Sequence, residues 1–126
     1  MDSSEKQDKG RSVIRQLTGD ESKDDIFALL DEVCPDFKKV ILEEQVFGNI
    51  WSRSGLSLQE RCKISLGILV AKRQDNEVKA QIKWALNIGV PREQILEVIM
   101  QAATYTIWGA GIEAIRMARE VFPPKE

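Results

Sequence analysis

Residues 57–71, which read SLQERCKISLGILVA, decide the fold class of this chain. Ser57 and Glu60 have the spacing of a capping box, in which each side chain bonds to a backbone N–H at the start of a helix. The box predicts a helix that runs to about Lys72. Its segment 64–71 is apolar nearly all round, which favours a central position over a surface one. A buried strand is the alternative for so short a run, but the cap and the helical patterns on both sides favour a helix.

The N-terminal residues differ in composition from the rest of the chain. Residues 1–25 carry twelve charged side chains and few large apolar ones. We expect a charged arm or one short amphipathic helix that ends at Gly19, with its first ten residues frayed or docked on a partner. Residues 26–126 are then expected to form the helical domain.

Two helices are predicted between this arm and the capping box. The first stops near Pro35, because a proline disfavours helical backbone in the residue before it. The second has Phe37 and Val40 on its inward face and is expected to end at Gly48, a C-cap candidate. Residues 49–55 are predicted to form a loop.

Helix signals continue after the capping-box helix. Asp75 or Asn76 can cap the next helix, and Gly89 has the place of a left-handed C-cap. Pro91 is expected at the first position of the helix that follows.

The last part of the chain is strongly apolar. Residues 95–108 contain few polar groups, so another part of the domain or another subunit must cover them. Gly109 and Gly111 are expected to interrupt this segment, and a terminal helix then runs to Pro123. The chain as a whole is predicted to be all-α, with about six to seven helices.

The composition excludes several kinds of chemistry. The 126 residues include no histidine, which rules out a serine or cysteine nucleophile with a histidine base and the usual histidine-bearing metal sites. The net charge is −2, and no apolar run is long enough to span a membrane. We therefore expect no nucleic-acid or membrane partner, no metal and no cofactor.

Cys34 and Cys62 cannot supply a four-thiolate metal site in one chain. The sequence shows no export signal, so both are expected to be reduced thiols of a cytoplasmic protein. Cys62 fits either a small core residue or, beside Arg61 near a helix start, a reactive thiolate.

Gln81 and Arg61 are the other polar candidates for a site. Gln81 shares a predicted inward face with Val78 and Ile82, either as an interhelical amide or as a pocket residue that binds substrate. Arg61 either pairs with a glutamate of the chain or binds an anionic ligand through its planar guanidinium.

Bulky aromatic side chains are expected at a subunit interface or a pocket wall. They are Trp51, Trp84, Tyr105 and Trp108. Arg53 follows Trp51 in the predicted loop and serves a site only if that loop closes over a pocket.

The stretch 47–122 resembles the carboxymuconolactone decarboxylase family, part of the alkyl hydroperoxidase D-like superfamily. The residues that carry the resemblance are Phe47-Gly48-Asn49-Ile50-Trp51-Ser52-Arg53, Leu56-Ser57-Leu58, Arg61, Ala85-Leu86-Asn87-Ile88-Gly89-Val90, Glu93-Gln94-Ile95, Glu97-Val98, Tyr105 and Ala118-Arg119-Glu120-Val121-Phe122. The resemblance implies an all-helical bundle that assembles into homo-oligomers, as trimers or hexamers, through its apolar helices. It also implies a pocket near the start of the central helix that binds a small anionic metabolite.

The activity implied is the decarboxylation of a small carboxylated substrate. Such a lyase needs cations that hold carboxylates and a donor that protonates the carbon left when carbon dioxide departs. The candidate catalytic residues are Glu60 or Cys62, as the proton donor, and Gln81, which would orient the substrate. The candidate substrate-binding residues are Arg53, Arg61, Tyr105, Trp51 and Trp108.

Three positions depart from the family pattern. Gln81 stands where many relatives have a histidine, and an amide does not exchange protons near neutral pH. Cys62 stands where an acidic residue often follows the arginine, and Trp108 lies where relatives have a small segment. An oligomeric binding or scaffold protein without catalysis is therefore the alternative function. A thiol-dependent peroxidase is a weaker one, since the positions of its dithiol pair hold Gln74 and Glu77.

Overall fold

Seven helices form the regular structure of residues 2–20 and 23–124, which are the residues that this computed structural model describes, and no strand occurs among them. The helices are α1 (Ser3–Thr18), α2 (Asp25–Val33), α3 (Phe37–Trp51), α4 (Leu58–Ala71), α5 (Asp75–Asn87), α6 (Arg92–Thr104) and α7 (Trp108–Val121). The all-α prediction is confirmed. None of the helices in the described ranges is long and apolar enough to cross a membrane.

The chain divides between Ser57 and Leu58 into two compact units. The predicted division at residue 25 was drawn from charge content alone and stays a prediction. The N-terminal unit holds α1 to α3, and the C-terminal unit holds α4 to α7.

In the N-terminal unit, α1 begins at Ser3, capped by the Asp2 side chain, so its first turns are helical rather than frayed. It ends at Gly19, as predicted, where a φ of 72° suits a residue without a Cβ. Gly10 lies in close contact with α3, because a Cβ there would overlap the backbone carbonyl of Glu43. The backbones of α1 and α3 therefore approach too closely for any larger residue at this point.

Helix α3 departs most from expectation. It is a π-helix, in which each N–H bonds to the carbonyl five residues earlier, and it continues through Gly48 to Trp51. Gly48 is thus not a C-cap, and residues 49–51 are not a loop. A Cβ at Gly48 would overlap the backbone carbonyls of Lys6 and Glu43, so the glycine serves close packing against α1.

The inward face of α3 follows from this wider turn. Lys38, Glu43, Phe47 and Trp51 are buried, at spacings of five, four and four residues. Phe37 and Val40, expected inside on a 3.6-residue repeat, are 47% and 41% exposed. The predicted face was wrong because the repeat of the helix is longer than that of an α-helix.

Charged groups on α3 are paired within the N-terminal unit. Arg11 donates from Nη1 to Glu43 Oε1 over 3.2 Å. Lys38 donates from Nζ to Asp31 Oδ1 over 3.1 Å, and the same nitrogen lies 6.0 Å from the ring centre of Phe27. These partners compensate for the burial of a cation and a carboxylate.

In the C-terminal unit, α4 packs against α5 and α6, and α7 packs against the same two helices. Rows of buried residues at helical spacing form its core. They are Cys62, Leu66 and Val70 of α4, Val78, Ile82 and Ala85 of α5, Ile95 and Ile99 of α6, and Ala110, Ala114 and Ala118 of α7. The small residues of α7 allow it to lie close to its neighbours.

The predicted helix ends in this unit are right to within about one residue. Helix α4 spans the capping-box prediction, and Gly89 has a φ of 90° at the end of α5. Pro91 caps α6 rather than occupying its first turn.

Two features of the unit contradict predictions made from the sequence. Gly109 and Gly111 do not interrupt a helix, because the break lies at Tyr105–Ile107 and both glycines fall in the first turn of α7. Ile64 and Ile68 of α4 are 52% and 54% exposed in this single chain, so α4 is not covered on every side.

Candidate functional site

Arg61 and the three predicted catalytic residues lie on two helices that pack against each other, α4 and α5. Glu60, Arg61 and Cys62 occupy the first turns of α4 in increasing order of burial: exposed, half-buried and fully buried. Gln81 lies in the middle of α5 on its buried face. The packed pair of helices thus carries one carboxylate, one guanidinium, one thiol and one amide.

Gln81 is 8% exposed, and its Oε1 atom is buried without a hydrogen-bond partner among the described residues. Buried polar atoms in proteins are nearly always paired, so an unpaired acceptor of this kind needs an explanation. The interpretation of Gln81 as an interhelical amide requires a partner for this oxygen, and the described residues supply none. The unpaired oxygen therefore favours the alternative, a residue that meets a ligand.

Cys62 has no exposed surface. Burial disfavours the charged thiolate and raises the pKa of Cys62 from 9.0 to about 12. The thiol is therefore protonated near neutral pH, which agrees with the interpretation of Cys62 as a small core residue and opposes that of a reactive thiolate. Such a weakly acidic group is also a poor proton donor.

Arg61 can bind a carboxylate because its guanidinium presents five N–H donors in one plane. The half-buried position strengthens such an interaction relative to one in water, since solvent screens it less. Glu60 is exposed one residue earlier and is the nearest acid to Arg61 along the chain.

Tyr105 and Trp108 lie at the turn from α6 to α7 and are 85% and 76% exposed. Trp108 therefore does not fill the interior of this chain. Trp84, on α5, is buried. Trp51 and Arg53 belong to the N-terminal unit, where Trp51 is buried with its ring centre 5.2 Å from that of Phe47, and Arg53 is exposed.

Gln59 was not predicted to matter to the site. Its Nε2 donates to the backbone carbonyl of Ile88 over 2.8 Å and so joins the first turn of α4 to the end of α5. This bond fixes the helix start that carries Arg61 relative to the helix that carries Gln81. The sequence shows Gln59 only as part of a cap, because the partner lies 29 residues away.

No group of three or more cysteine, aspartate or glutamate side chains in the described ranges is arranged to hold a metal ion. Cys34 and Cys62 are both free thiols. Among Arg61, Gln81 and Cys62, the arginine carries the charge, and neither of the other two exchanges a proton readily near neutral pH. Arg61 is therefore the one of these three side chains that can bind an anion through its charge.

The sequence of the chain also shows which protein family has this helical fold. The sequence profile of the Carboxymuconolactone decarboxylase family matches residues 40–120, more than half of the chain. The chain therefore belongs to that family, as the motifs around Trp51 and Gly89 predicted.

Two proteins with similar sequences are named as decarboxylases. The chain is 25% identical to the 4-carboxymuconolactone decarboxylase of Acinetobacter baylyi over 122 residues, which cover 97% of this chain and 90% of that protein. It is 29% identical to the nitrosuccinic acid decarboxylase npaB of Metarhizium robertsii over 75 residues, which cover 60% of this chain and 52% of that protein.

Proposed function

We propose that this protein is a decarboxylase that acts on a small carboxylated substrate. The observation that carries the proposal is that both relatives are named decarboxylases, one of them matched along almost the whole chain. Their names give two different acids, so the reaction type is the common element. The proposed reaction is the cleavage of a carbon–carbon bond with release of carbon dioxide.

Arg61 is proposed to hold a carboxylate of the substrate through its planar guanidinium. Arg53 and Trp51 lie in the N-terminal unit, and their predicted contacts with substrate stay predictions. Loss of carbon dioxide leaves an electron pair on the carbon, and a positioned cation stabilises the charge of the transition state. Glu60 is proposed as the proton donor, since burial keeps Cys62 from releasing a proton. Gln81 and Tyr105 orient the substrate, and Trp108 lines it.

The direct test is carbon dioxide release by the purified protein from 4-carboxymuconolactone and from nitrosuccinic acid. Arg61→Gln removes a charged hydrogen-bond donor, a loss of about 1.5–3 kcal/mol, so kcat/KM should fall about 10- to 150-fold. Arg119→Gln is the matched control, because Arg119 is exposed at the end of α7. Release no faster than in buffer from either acid would remove the assignment.

Self-assembly is the second part of the proposal. Trp108, Ile112 and Ile115 follow one another at helical spacing along α7 and are 76%, 41% and 44% exposed. A row of large apolar side chains on a single chain indicates a surface that another protein covers. We propose that further copies of this chain cover it, as a trimer or hexamer.

Light scattering tests the assembly. The double variant Ile112→Asp/Ile115→Asp should give a smaller species than wild type, because it places charges in the apolar row. Gln101→Asp, at an exposed polar position on α6, should leave the mass unchanged. A wild-type mass of 14.3 kDa would contradict the proposal.

A binding or scaffold protein without catalysis is the second candidate function. The observation that favours it is the lack of a near-neutral acid–base group at Gln81 and Cys62. An assembled protein that releases no carbon dioxide from either acid would support it.

A cytoplasmic location is the last part of the proposal. The two free thiols suit a reducing compartment, and fractionation of the source cells tests this location.

A further inference from the structure

Helix α2 has an exposed apolar face in the N-terminal unit. Leu29 and Val33 lie four residues apart, about one turn of the helix, and are 56% and 69% exposed in this single chain. Of the nine residues of α2, Phe27 is the one that is buried. Large apolar side chains that stay exposed side by side indicate a surface that another protein covers.

The charges beside this face are negative. Residues three or four positions from Leu29 and Val33 share their side of the helix, and the charged ones among them within α2 are Asp25 and Glu32, both exposed. No lysine or arginine occurs in residues 24–37. Contact of this face with itself in a second copy would bring like charges together, which is unfavourable. The face therefore fits a partner that is apolar and basic.

The apolar row on α7 has these properties. It consists of Trp108, Ile112 and Ile115. The charged residues three or four positions from its members are Arg116 and Arg119, both exposed. Arg116 also pairs with Glu113, but an exposed ion pair of this kind is weak. The positive charge opposes contact of the row with itself and complements the negative charge on α2.

A second exposed apolar pair, Ile64 and Ile68 of α4, lacks this complementarity. Its charged neighbours at three or four positions within the helix are Glu60 and Arg61, whose charges cancel. Charge therefore favours α2 over α4 as the surface that meets α7.

A contact between two different surfaces also suits the proposed assembly. Copies related by a threefold axis meet through two different surfaces of each chain, because only a twofold axis brings a surface onto itself. A trimer, or each trimer of a hexamer, therefore requires a second surface besides the row on α7. Helix α2 supplies one.

We propose that the exposed face of α2, formed by Asp25, Leu29, Glu32 and Val33, binds the α7 row of a second copy, so that copies join head to tail. The inference rests on the self-assembly part of the proposed function and names the surface that the α7 row meets. The occupant is a further copy rather than a different protein, because this chain itself carries both complementary surfaces.

Light scattering on variants of α2 tests the inference. Leu29→Lys/Val33→Lys places two cations opposite the basic end of α7, so the mass should fall below that of wild type. Ser12→Lys/Gln16→Lys is the matched control, because it adds the same charge at two exposed positions one turn apart on α1, and it should keep the wild-type mass. Circular dichroism checks that both variants are folded. A wild-type mass in the folded α2 variant would overturn the inference.

A mixture of two defective proteins identifies the surface that α2 meets. Leu29→Lys/Val33→Lys keeps an intact α7 row, and Ile112→Asp/Ile115→Asp keeps an intact α2 face. The mixture should give a species at least twice the mass of either variant alone, because each variant supplies the surface that the other lacks. A mixture that stays at the masses of its components would contradict the contact between α2 and α7.

Glu32→Lys tests the charge alone and decides the question if the double variant does not fold. A cation near the end of α2 is compatible with the helix dipole. The variant should dissociate several-fold more readily than wild type at low salt, and the difference should shrink in about 1 M salt, which screens the repulsion from Arg116 and Arg119. Assembly as tight as that of wild type at low salt would count against the inference.

The failures of the two proposals are distinguishable. A wild-type mass of 14.3 kDa would refute the proposed self-assembly and this inference with it. An assembled wild type whose α2 variants keep its mass would refute this inference alone. Because Arg119 flanks the row, the activity of Arg119→Gln is compared with that of wild type at concentrations where both proteins have the same mass.

Discussion

Cys62 should react with alkylating reagents about a thousand times more slowly than an unperturbed thiol. Its pKa is raised from 9.0 to about 12 by burial. At pH 7 a thiol with the unperturbed pKa is about one part in a hundred thiolate, and Cys62 is about one part in a hundred thousand. Because only the thiolate attacks, the reaction slows by the same factor before any shielding by the surrounding residues is counted.

Iodoacetamide labelling followed by peptide mass spectrometry measures this difference. Cys34 is exposed at the end of α2 and serves as the reference within the same molecule. Labelling in denaturant should bring the two rates together, which shows that the folded state causes the difference. Equal rates for both cysteines in the folded protein would refute the argument and would reopen the thiol-dependent peroxidase alternative.

The same pKa predicts how stability depends on pH. Three pKa units correspond to about 4 kcal/mol against ionisation in the folded state. Since the folded pKa lies above the unfolded value, this contribution is complete below pH 9 and is lost as the pH rises through about 12. The free energy of unfolding should fall in that range by about 1.4 kcal/mol for each pH unit. Cys62→Ala should lack this part of the alkaline slope, although its cavity lowers stability at every pH.

Three further substitutions test other contacts. Gly48→Ala should lower the free energy of unfolding by about 3 kcal/mol or more in a urea titration, because its Cβ would overlap backbone carbonyls. Gly55→Ala is the control and should be nearly neutral, because the space around Gly55 is open. Arg92→Met should cost about 1 kcal/mol, since Arg92 donates to the Pro123 carbonyl over 2.6 Å and lies 4.6 Å from the Phe122 ring centre. Gln81→His should introduce a pH dependence of kcat/KM below about pH 6.5, because burial at this position disfavours the charged imidazolium and lowers its pKa. Profiles identical to wild type would contradict a substrate contact at this position.

Helix punctuation explains why most of the fold could be predicted from the sequence. Gly19 and Gly89 end helices because they adopt positive φ, and Ser57 precedes α4 where a capping box predicts a helix start. These signals act over a few residues, so a single sequence contains both partners. The predicted all-α class rests on them.

The errors arise where the deciding partner is distant. Gly48 is the residue type expected at a helix C-cap, but the nearby backbone carbonyls of Lys6 and Glu43 determine its role. The wide turn of α3 shifts Phe37 outward, and no local residue marks that change. The candidate site follows the same rule: the sequence predicts that Gln81 faces inward, whereas its lack of a hydrogen-bond partner is a property of the packed helices.

One physical cause connects the two unusual groups of the candidate site. Cys62 and Gln81 lie on packed helices whose surroundings exclude water, and that exclusion raises the pKa of the thiol and leaves the amide oxygen unpaired. The same exclusion would strengthen the proposed contact of Arg61 with a substrate carboxylate, because an ion pair is stronger where water screens it less. A site of this kind is suited to chemistry by charge placement rather than by proton transfer. In the proposed decarboxylation, Arg61 would hold a carboxylate and stabilise the charge that develops as carbon dioxide leaves, and Glu60 would supply the proton.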